Sequence, residues 1–280
     1  MFNIEIESYQ DLVTLSDAMP QFVFRGQGDS SWGLSTTIER TCWNNNYMTR
    51  FLHSSEKAII KDFQRQAHLY TSHLPSEDSL IEWLALLQHH GGSTRLLDVS
   101  QSMFIAAFFA LEQTQGDAAI WCFNEDYLFG HTDNVIREHE SFSDLKARSR
   151  KVGEECFRGE YSESLVMSIE PDIMNKRILA QQGLFLVPGN INESFESNLA
   201  ATYGVRPQSL TCSDTWEFKT VEEVVKLDYL EHPLVKIIIP IEVQNKVMYM
   251  LEKSNISQRT LFPDLDGVAR SLNKYLRDVE

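Results

Sequence analysis

Hydrophobic and polar positions follow two different periods along this chain of 280 residues. Where apolar residues alternate with polar ones, or run together briefly between turn residues, the pattern predicts strands. These stretches are NIEIES, QFVFRGQ, DAAIWCFN, SLVMSIE, GLFLVPG and LVKIIIPIEV. Where apolar residues recur three and four positions apart, the pattern predicts helices. These are residues 10–19, residues 54–70, LIEWLALLQ behind Pro75, SQSMFIAAFFALEQ, NKVMYMLEKS and DGVARSLNKYL.

The order of these elements favours an α+β fold with a mixed central sheet and buried helices. Strands and helices mix without the strict alternation of a doubly wound parallel sheet. The stretch SQSMFIAAFFALEQ is apolar almost all round, which is typical of a buried helix. Residues 127–164 are polar and weakly patterned, and we expect a helical excursion there. Because no Pro-, Gly- or Ser-rich linker divides the chain, we predict one domain over residues 1–280, with 127–164 as a helical insertion.

The composition is that of an ordinary globular protein, but the charge argues against two kinds of partner. The formal net charge is −15, which repels phosphate backbones and anionic lipids, so we expect neither broad nucleic-acid binding nor membrane binding. The first residues are acidic rather than basic, unlike a signal peptide, and the longest apolar run, MFIAAFFAL, is far shorter than the roughly 20 residues that cross a bilayer. These features predict a cytoplasmic protein.

Four cysteines are spread widely and form no C-x-x-C pair: Cys42, Cys122, Cys156 and Cys212. This spacing is unlike a zinc knuckle, and a chain of this length does not need a disulfide framework. We therefore expect separate reduced thiols and no bound metal.

The first candidate site is the stretch Arg25-Gly26-Gln27 at the end of an apolar strand. The planar guanidinium of arginine suits bidentate capture of a phosphate or carboxylate, and Gly26 lets a backbone or a ligand approach closely. The alternative is a structural ion pair between Arg25 and one of the 40 acidic residues of the chain.

The second candidate site is QHHGGSTRLLD, residues 88–98, which concentrates polar side chains between two apolar helices. Such groups must hydrogen-bond one another or face a cleft. The candidate ligand-binding residues here are His89, His90, Thr94, Arg95 and Asp98. Two adjacent histidines in an extended segment point opposite ways, so at most one easily faces a site. The structural alternative is that Asp98 or Ser100 caps the following helix.

The third candidate site is NKRILAQQGLFLVPG, residues 175–189, in which Gln181 and Gln182 precede a strand. A glutamine side chain donates and accepts hydrogen bonds but carries no charge. The alternative is a helix C-terminus with Gly183 in a left-handed turn. A fourth stretch, LFPDLDGVARSL, is typical of a turn and a helix start, and we interpret it as structural. The chain contains no P-loop, G-x-S-x-G or H-E-x-x-H motif.

FRGQ, QHHGGSTRLLDVSQSMFIAAFFA, RILAQQGLFLVPG and LFPDLDGVA together resemble the FRG domain family over about residues 20–272. That family takes its name from the motif Phe24-Arg25-Gly26. Its members are mostly bacterial and phage proteins, some of them in toxin or antiviral defence contexts. The resemblance therefore implies a toxin or defence effector.

A more distant resemblance, to the R-S-E class of mono-ADP-ribosyltransferases, bears on the mechanism. Arg25 falls at the arginine position, Ser100 at the serine, and Gln182 where that class has its glutamate. The resemblance implies NAD as substrate, with the pyrophosphate on Arg25. The glutamate stabilises a positively charged, oxocarbenium-like state, which glutamine cannot do by charge. Asp98 is our first candidate for the missing carboxylate.

The same resemblance assigns further roles around the catalytic group Arg25, Asp98, Ser100 and Gln182. Thr94 and Ser100 orient the ribose, Gln182 hydrogen-bonds it, and His90 lies against nicotinamide or adenine. The remaining ligand-binding candidates are Gly26, Gln27, His89, Arg95 and Gln181.

Two other functions stay open at this point. The polar cluster could bind a nucleotide-like or other anionic ligand, a protein target or a regulatory partner without catalysis. Alternatively, its histidines and aspartate could hydrolyse nucleic acid, which the net charge of −15 opposes.

Overall fold

The computed structural model describes residues 1–45, 51–112, 114, 116–135, 144–211, 216–227 and 232–272. Its strands are β1 Phe2–Glu5, β2 Phe22–Gln27, β3 Leu97–Ser100, β4 Ala118–Asn124, β5 Val166–Ile169, β6 Gly183–Pro188 and β7 Leu234–Ile239. Its helices are α1 Tyr9–Ala18, α2 Thr37–Asn44, α3 Leu52–Ala67, α4 Leu80–His89, α5 Met103–Leu111, α6 Glu125–Val135, α7 Leu145–Arg158, α8 Lys176–Ala180, α9 Phe195–Thr202, α10 Pro207–Thr211, α11 Val221–Val224, α12 Ile241–Lys253, α13 Gln258–Leu261 and α14 Leu265–Ser271.

The seven strands form one mixed sheet in the order β1-β7-β4-β2-β3-β6-β5. β1 and β7 run parallel, and every other neighbouring pair is antiparallel. Helices pack on the sheet without a regular strand–helix alternation. The α+β class with a mixed central sheet is therefore confirmed.

Several short elements were not predicted, and two of them, β3 and α2, lie near the candidate site. The polar segment between α4 and α5 contains β3, and the helix expected from Ser100 begins only at Met103. Its N-cap is Ser102, whose hydroxyl accepts from the Ile105 N–H, so the expected cap at Asp98 or Ser100 is wrong. Helix α2, behind the N-cap Thr36, is the second missed element.

The sheet nearly divides between β2 and β3. β2 pairs with β4 along all six of its residues, whereas it meets β3 at the single pair Phe24↔Ser100. β3 is in turn fully paired with β6 on its other side, from Leu97↔Leu186 to Ser100↔Gly183. The backbone edges of β2 and β3 therefore stay joined at one point, and an opening is left beside it.

Helix α5 covers β2 at very short range, because Gly26 has no side chain. A Cβ atom at this position would lie 1.9 Å from the Ala106 carbonyl oxygen and 2.6 Å from the Ala110 nitrogen. The close approach that was expected at Gly26 is therefore made by the backbone of α5. Met103, Ala107 and Ala110 are fully buried, which agrees with the all-round apolar pattern of this helix.

One apolar core packs α1, α5 and α12 against the sheet, and a second contains Trp121. A third apolar core, formed by α3, α4, α7, β5 and β6, lies around Arg95, which is fully buried. The Arg95 guanidinium pairs with the buried Glu56 carboxylate, with 2.8 Å from Nε to Oε2, and its Cζ lies 4.5 Å from the centroid of the Phe157 ring. Because the side chain is 0% exposed, Arg95 is a structural residue rather than a ligand contact.

The polar stretch 127–164 contains most of α6 and all of α7, whereas residues 159–164 are not helical and residues 136–143 lie outside the described residues. It also contributes to the interior: Leu128 packs in the core that contains Trp121, and Val152 and Phe157 pack in the third core.

Cys42, Cys122 and Cys156 are free thiols and all three are buried, and Cys212 lies outside the described residues. Within the described residues, no helix is both long and apolar enough to cross a membrane.

We predict that Gly26→Ala will lower the free energy of unfolding by about 3 kcal/mol or more, because the new Cβ overlaps the α5 backbone. Urea unfolding followed by circular dichroism measures the change. The matched control is Gly130→Ala in α6, where a Cβ meets nothing within 4 Å, and we expect that variant to gain about 0.5–1 kcal/mol. Equal effects of the two substitutions would contradict this account of Gly26.

We predict that Glu56→Ala will cost about 3–5 kcal/mol of stability, because it leaves the Arg95 guanidinium buried without its counter-charge. Asp62→Ala, which breaks an exposed 3.6 Å pair with Arg65 on the same helix, is the control and should change stability by less than about 1 kcal/mol. Thermal unfolding of both variants distinguishes a buried ion pair from a surface pair.

Candidate functional site

A cleft of about 430 Å³ opens beside the single pair that joins β2 to β3, and we call it the first cleft. The end of α4, the face of α5 and helix α8 close its sides. Its polar lining residues are Arg25, Thr37, Gln88, His89, Asp98, Ser100, Asn175, Arg177 and Gln181. Phe24, Ala85, Phe109, Ile178 and Phe185 are among its apolar lining residues.

Arg25 spans the opening between the two strands. Its Nη1 donates to the backbone carbonyl of Asp98 at 2.7 Å. The guanidinium therefore bonds to β3 at a place where the backbones of β2 and β3 no longer pair with each other. Burial lowers the pKa of Arg25; the Asp98 carboxylate opposes this shift, and Arg40 adds to it. Among the described residues, the buried Nε of Arg25 has no hydrogen-bond partner. A guanidinium stays charged at neutral pH, so a donor remains for an anion.

Asp98 presents an exposed carboxylate to the first cleft and is held by a neighbouring amide. Gln88 Nε2 donates to Asp98 Oδ1 at 2.7 Å, and Gln88 Oε1 in turn accepts from the Thr94 hydroxyl. Thr94 is fully buried and does not line the first cleft, and its backbone and side chain bond to Thr37 and Gln88. Thr94 is thus placed to orient Gln88 and, through it, Asp98.

Ser100 lies on the wall of the first cleft, but its hydroxyl is already engaged. Ser100 Oγ donates to the Gln181 carbonyl at 2.8 Å and accepts from the Ser102 N–H at 3.0 Å. Gln181 also lines this cleft, and its Nε2 donates to the Leu261 carbonyl at 3.1 Å. These bonds tie β3, the start of β6 and α13 together.

Gln182 is exposed and lines neither this cleft nor its neighbour. Its backbone adopts the left-handed conformation, with φ of 46°, and its carbonyl accepts from the Gln101 N–H. The expected left-handed turn at Gly183 is therefore wrong by one residue, since Gly183 begins β6. The turn directs Gln181 rather than Gln182 to the site.

Of the two histidines, His89 lines the first cleft and His90 does not. The expectation that they lie in an extended segment is wrong, because His89 ends α4 and His90 is its C-cap. The role in the site was assigned to His90, whereas His89 is the histidine that lines the cleft. Their rings contact edge to face, with centroids 4.8 Å apart. Burial lowers the pKa of His89. The charges of His90 and Arg177 lower it further, whereas the Asp264 carboxylate opposes the shift. His89 therefore stays neutral to lower pH than a solvated histidine.

The C-terminal motif comes close to the site, although it was interpreted as purely structural. Asp264 does cap α14, accepting from the Gly267 N–H at 2.7 Å. In addition, the Arg177 guanidinium lies over the Phe262 ring, 4.6 Å from its centroid. Arg177 was not among the candidates, although it lies within the third quoted stretch. It adds a second cation to the first cleft.

A larger cleft of about 930 Å³, here called the second cleft, adjoins the first and shares Arg25, Gly26 and Phe109 with it. Its other charged, amide-bearing or aromatic lining residues include Gln27, Trp32, Arg40, Trp43, Glu112 and Glu196. The Gln27 side chain is engaged at both ends: it donates to the Gly33 carbonyl at 2.9 Å and accepts from Trp121 Nε1 at 2.7 Å. Gln27 therefore holds the loop that follows β2.

The sequence analysis did not predict the charged and aromatic residues that line the second cleft beyond Arg25-Gly26-Gln27. Arg40 and Trp43 lie on α2, which the hydrophobic pattern did not reveal, and Glu196 comes from α9, far along the chain. Trp32 stands in the loop directly after Arg25-Gly26-Gln27. A tryptophan in a polar segment so near a candidate arginine was the one available signal in the sequence.

The fold thus brings together six of the predicted residues in the first cleft: Arg25, Gly26, His89, Asp98, Ser100 and Gln181. Gln27 lines the second cleft, whereas His90, Thr94, Arg95 and Gln182 line neither. The four stretches of sequence are therefore neighbours in space, although individual side chains differ from the expectation.

Comparison with known proteins gives one match. No curated protein and no solved structure is significantly similar to the chain. The family model of the FRG domain matches residues 20–118, which include FRGQ on β2 and the QHHGGSTRLLD stretch up to α5. For the two later motifs the family resemblance stays a prediction. Residues 20–118, which supply Arg25, His89, Asp98 and Ser100, identify the chain as a protein with an FRG domain.

Proposed function

We propose that this FRG-domain protein binds NAD across its two clefts and cleaves the nicotinamide–ribosyl bond, as an ADP-ribosyltransferase does. The observation that carries the proposal is the position of Arg25. Its guanidinium lies at the junction of both clefts, beside the Asp98 carboxylate, and its buried Nε has no partner among the described residues. A dinucleotide has this order of parts: an anionic centre between two ring-bearing arms.

Arg25 would hold the pyrophosphate of NAD. Guanidinium groups bind such oxygens through parallel N–H bonds, which are strongest where water is excluded. Arg177 in the first cleft and Arg40 in the second supply further positive charge on either side. Local charge of this kind can bind an anion even though the whole chain carries −15.

Asp98 would stabilise the reacting ribose. When the bond between ribose C1′ and the nicotinamide nitrogen breaks, its electron pair goes to the nicotinamide ring and C1′ becomes positively charged. Water or a hydroxyl of a target molecule then bonds to C1′ and loses its proton. The Gln88 amide, fixed by Thr94, orients the Asp98 carboxylate, and such preorganised charge contributes strongly to rate.

A second candidate function, binding of the nucleotide without turnover, is favoured by two observations. Gln182 brings no carboxylate to the place where the R-S-E class has one, and the side chain lines neither cleft. The Ser100 hydroxyl is engaged by Gln181 and Ser102, so it positions the backbone rather than the ribose. In that case the protein would sense a nucleotide, and the effector role would belong to a partner.

In the catalytic reading, transfer of ADP-ribose to a host macromolecule would give the protein the toxin or defence role that its family resemblance implies. The resemblance does not identify the target. Incubation of a cell lysate with the protein and labelled NAD would reveal the target as a labelled species.

We predict that purified protein releases nicotinamide from NAD and that Asp98→Asn lowers the rate by on the order of 10²–10³, while NAD affinity changes little. Asparagine keeps an oxygen that accepts from Gln88, so only the charge is lost. Chromatography of nicotinamide and calorimetry with NAD measure the two quantities. The control is Asp17→Asn, exposed on α1 and lining neither cleft. An unchanged rate in Asp98→Asn would exclude Asp98 as the acid; tight NAD binding without any release would establish the second function.

We predict that Arg25→Lys weakens NAD binding about 10- to 100-fold, because an ammonium keeps the charge and loses the bidentate geometry. Arg65→Lys, in an exposed pair on α3, is the matched control and should bind like the wild type. Calorimetric titration with NAD and with ADP-ribose measures the affinity of both variants. Equal affinity in wild type and Arg25→Lys would remove Arg25 from the site.

A further inference from the structure

We propose that the second cleft is a subsite for the base of an adenine nucleotide, with Trp32 and Trp43 as the stacking surfaces. This inference rests on the proposed function in so far as it assigns the adenine end of NAD to this cleft. Binding of the isolated adenine nucleotide can nevertheless be tested without any turnover of NAD.

The distribution of tryptophans is the first observation. The chain has five, and Trp83, Trp121 and Trp216 are buried. The other two, Trp32 and Trp43, are 56% and 54% exposed, and both line the second cleft. Neither contacts another aromatic ring within the described residues. Large aromatic side chains in water, gathered in one concave site, are typical of surfaces that stack on a base.

Positive charge lies beside these rings. Arg25 borders the cleft on the side of the first cleft, and Arg40 borders it on α2, while the carboxylates of Glu112 and Glu196 line the same cleft. The Arg40 guanidinium donates to the Ser35 carbonyl and to its hydroxyl, so it is oriented before any ligand arrives. A planar ring that carries a phosphate suits both the indole rings and the guanidinium groups, whereas a purely apolar ligand makes no use of the positive charge.

Glu196 offers a hydrogen-bond acceptor to the base. Its Oε1 accepts from the Leu34 N–H at 2.8 Å, which fixes the carboxylate on the wall of the second cleft. A carboxylate accepts from the exocyclic amino group of adenine. The base of AMP therefore has a partner on the wall of this subsite.

The loop that carries Trp32 is well anchored. Asp29 accepts from the Ser31 backbone and hydroxyl, Lys236 donates to the Ser30 carbonyl, and Gln27 donates to the Gly33 carbonyl. On the other side, Thr36 and Glu39 form a capping box at the start of α2, which carries Trp43. Since both supports are fixed, little ordering is required when a base enters between or beside the rings.

The test is calorimetric titration of the full chain with AMP, GMP and inorganic phosphate, repeated with Trp32→Ala, Trp43→Ala and Trp43→Phe. We expect AMP affinity to fall roughly 5- to 100-fold in each alanine variant, the loss of one stacking surface. Trp43→Phe should stay within about threefold of wild type, because a phenyl ring still stacks. Tyr249→Ala, an exposed aromatic residue of α12 that lines neither cleft, controls for general loss of surface aromatics.

The outcomes separate the subsite from the proposed reaction. AMP binding that needs both tryptophans, without nicotinamide release from NAD, supports the subsite and counts against the reaction. Absence of AMP binding, or binding unaffected in both alanine variants, overturns the subsite even if NAD is turned over. GMP binding tighter than that of AMP overturns the assignment of the cleft to adenine, and phosphate binding as tight as that of AMP overturns base stacking.

Discussion

The junction between β2 and β3 is the constraint on which the site depends. Two adjacent strands of one sheet meet at a single residue pair, and the side chain of Arg25 bonds to the Asp98 carbonyl beside it. The sheet remains continuous, so its cores stay covered, yet an opening persists between the two strand edges. A charged side chain is held there by its own bond to the backbone. The cleft and its cation therefore arise from the same interaction.

The neighbouring packing keeps this opening in place. Gly26 lets α5 lie against β2 on one face, and the bonds of Ser100 with Gln181 and Ser102 fix the end of β3 to the start of β6. Several residues that motif reasoning treats as chemical are thus structural. Gly26 and Ser100 fix the positions of β2 and β3. Substituting either residue would therefore disturb ligand binding, although neither side chain is expected to touch the ligand. Arg25 and Asp98 differ from them, since each keeps polar atoms available to the cleft.

Sequence reasoning located the site better than it identified its side chains. The stretches around Arg25 and Asp98 were recognised because polar groups interrupt strongly apolar runs, and such groups need partners or a cleft. Arg95 and Thr94 met that need inside the protein, through Glu56 and Gln88, which lie 39 and 6 residues away along the chain. The choice between Gln181 and Gln182 depended on one left-handed backbone conformation. Short elements such as β3 and α2 carry too few positions for a period to be read.

The sequence by itself determined the fold class, the buried character of α5 and the presence of an FRG domain over residues 20–118, because periodicity and motifs are local properties of the chain. Only the tertiary structure decided which polar residues share a cleft. Trp32 and Arg40 share the second cleft with Glu196, which lies more than 150 positions away along the chain, and Arg177 lines the first cleft from helix α8. Such contacts depend on how the strands are ordered in the sheet, and no local pattern encodes that order.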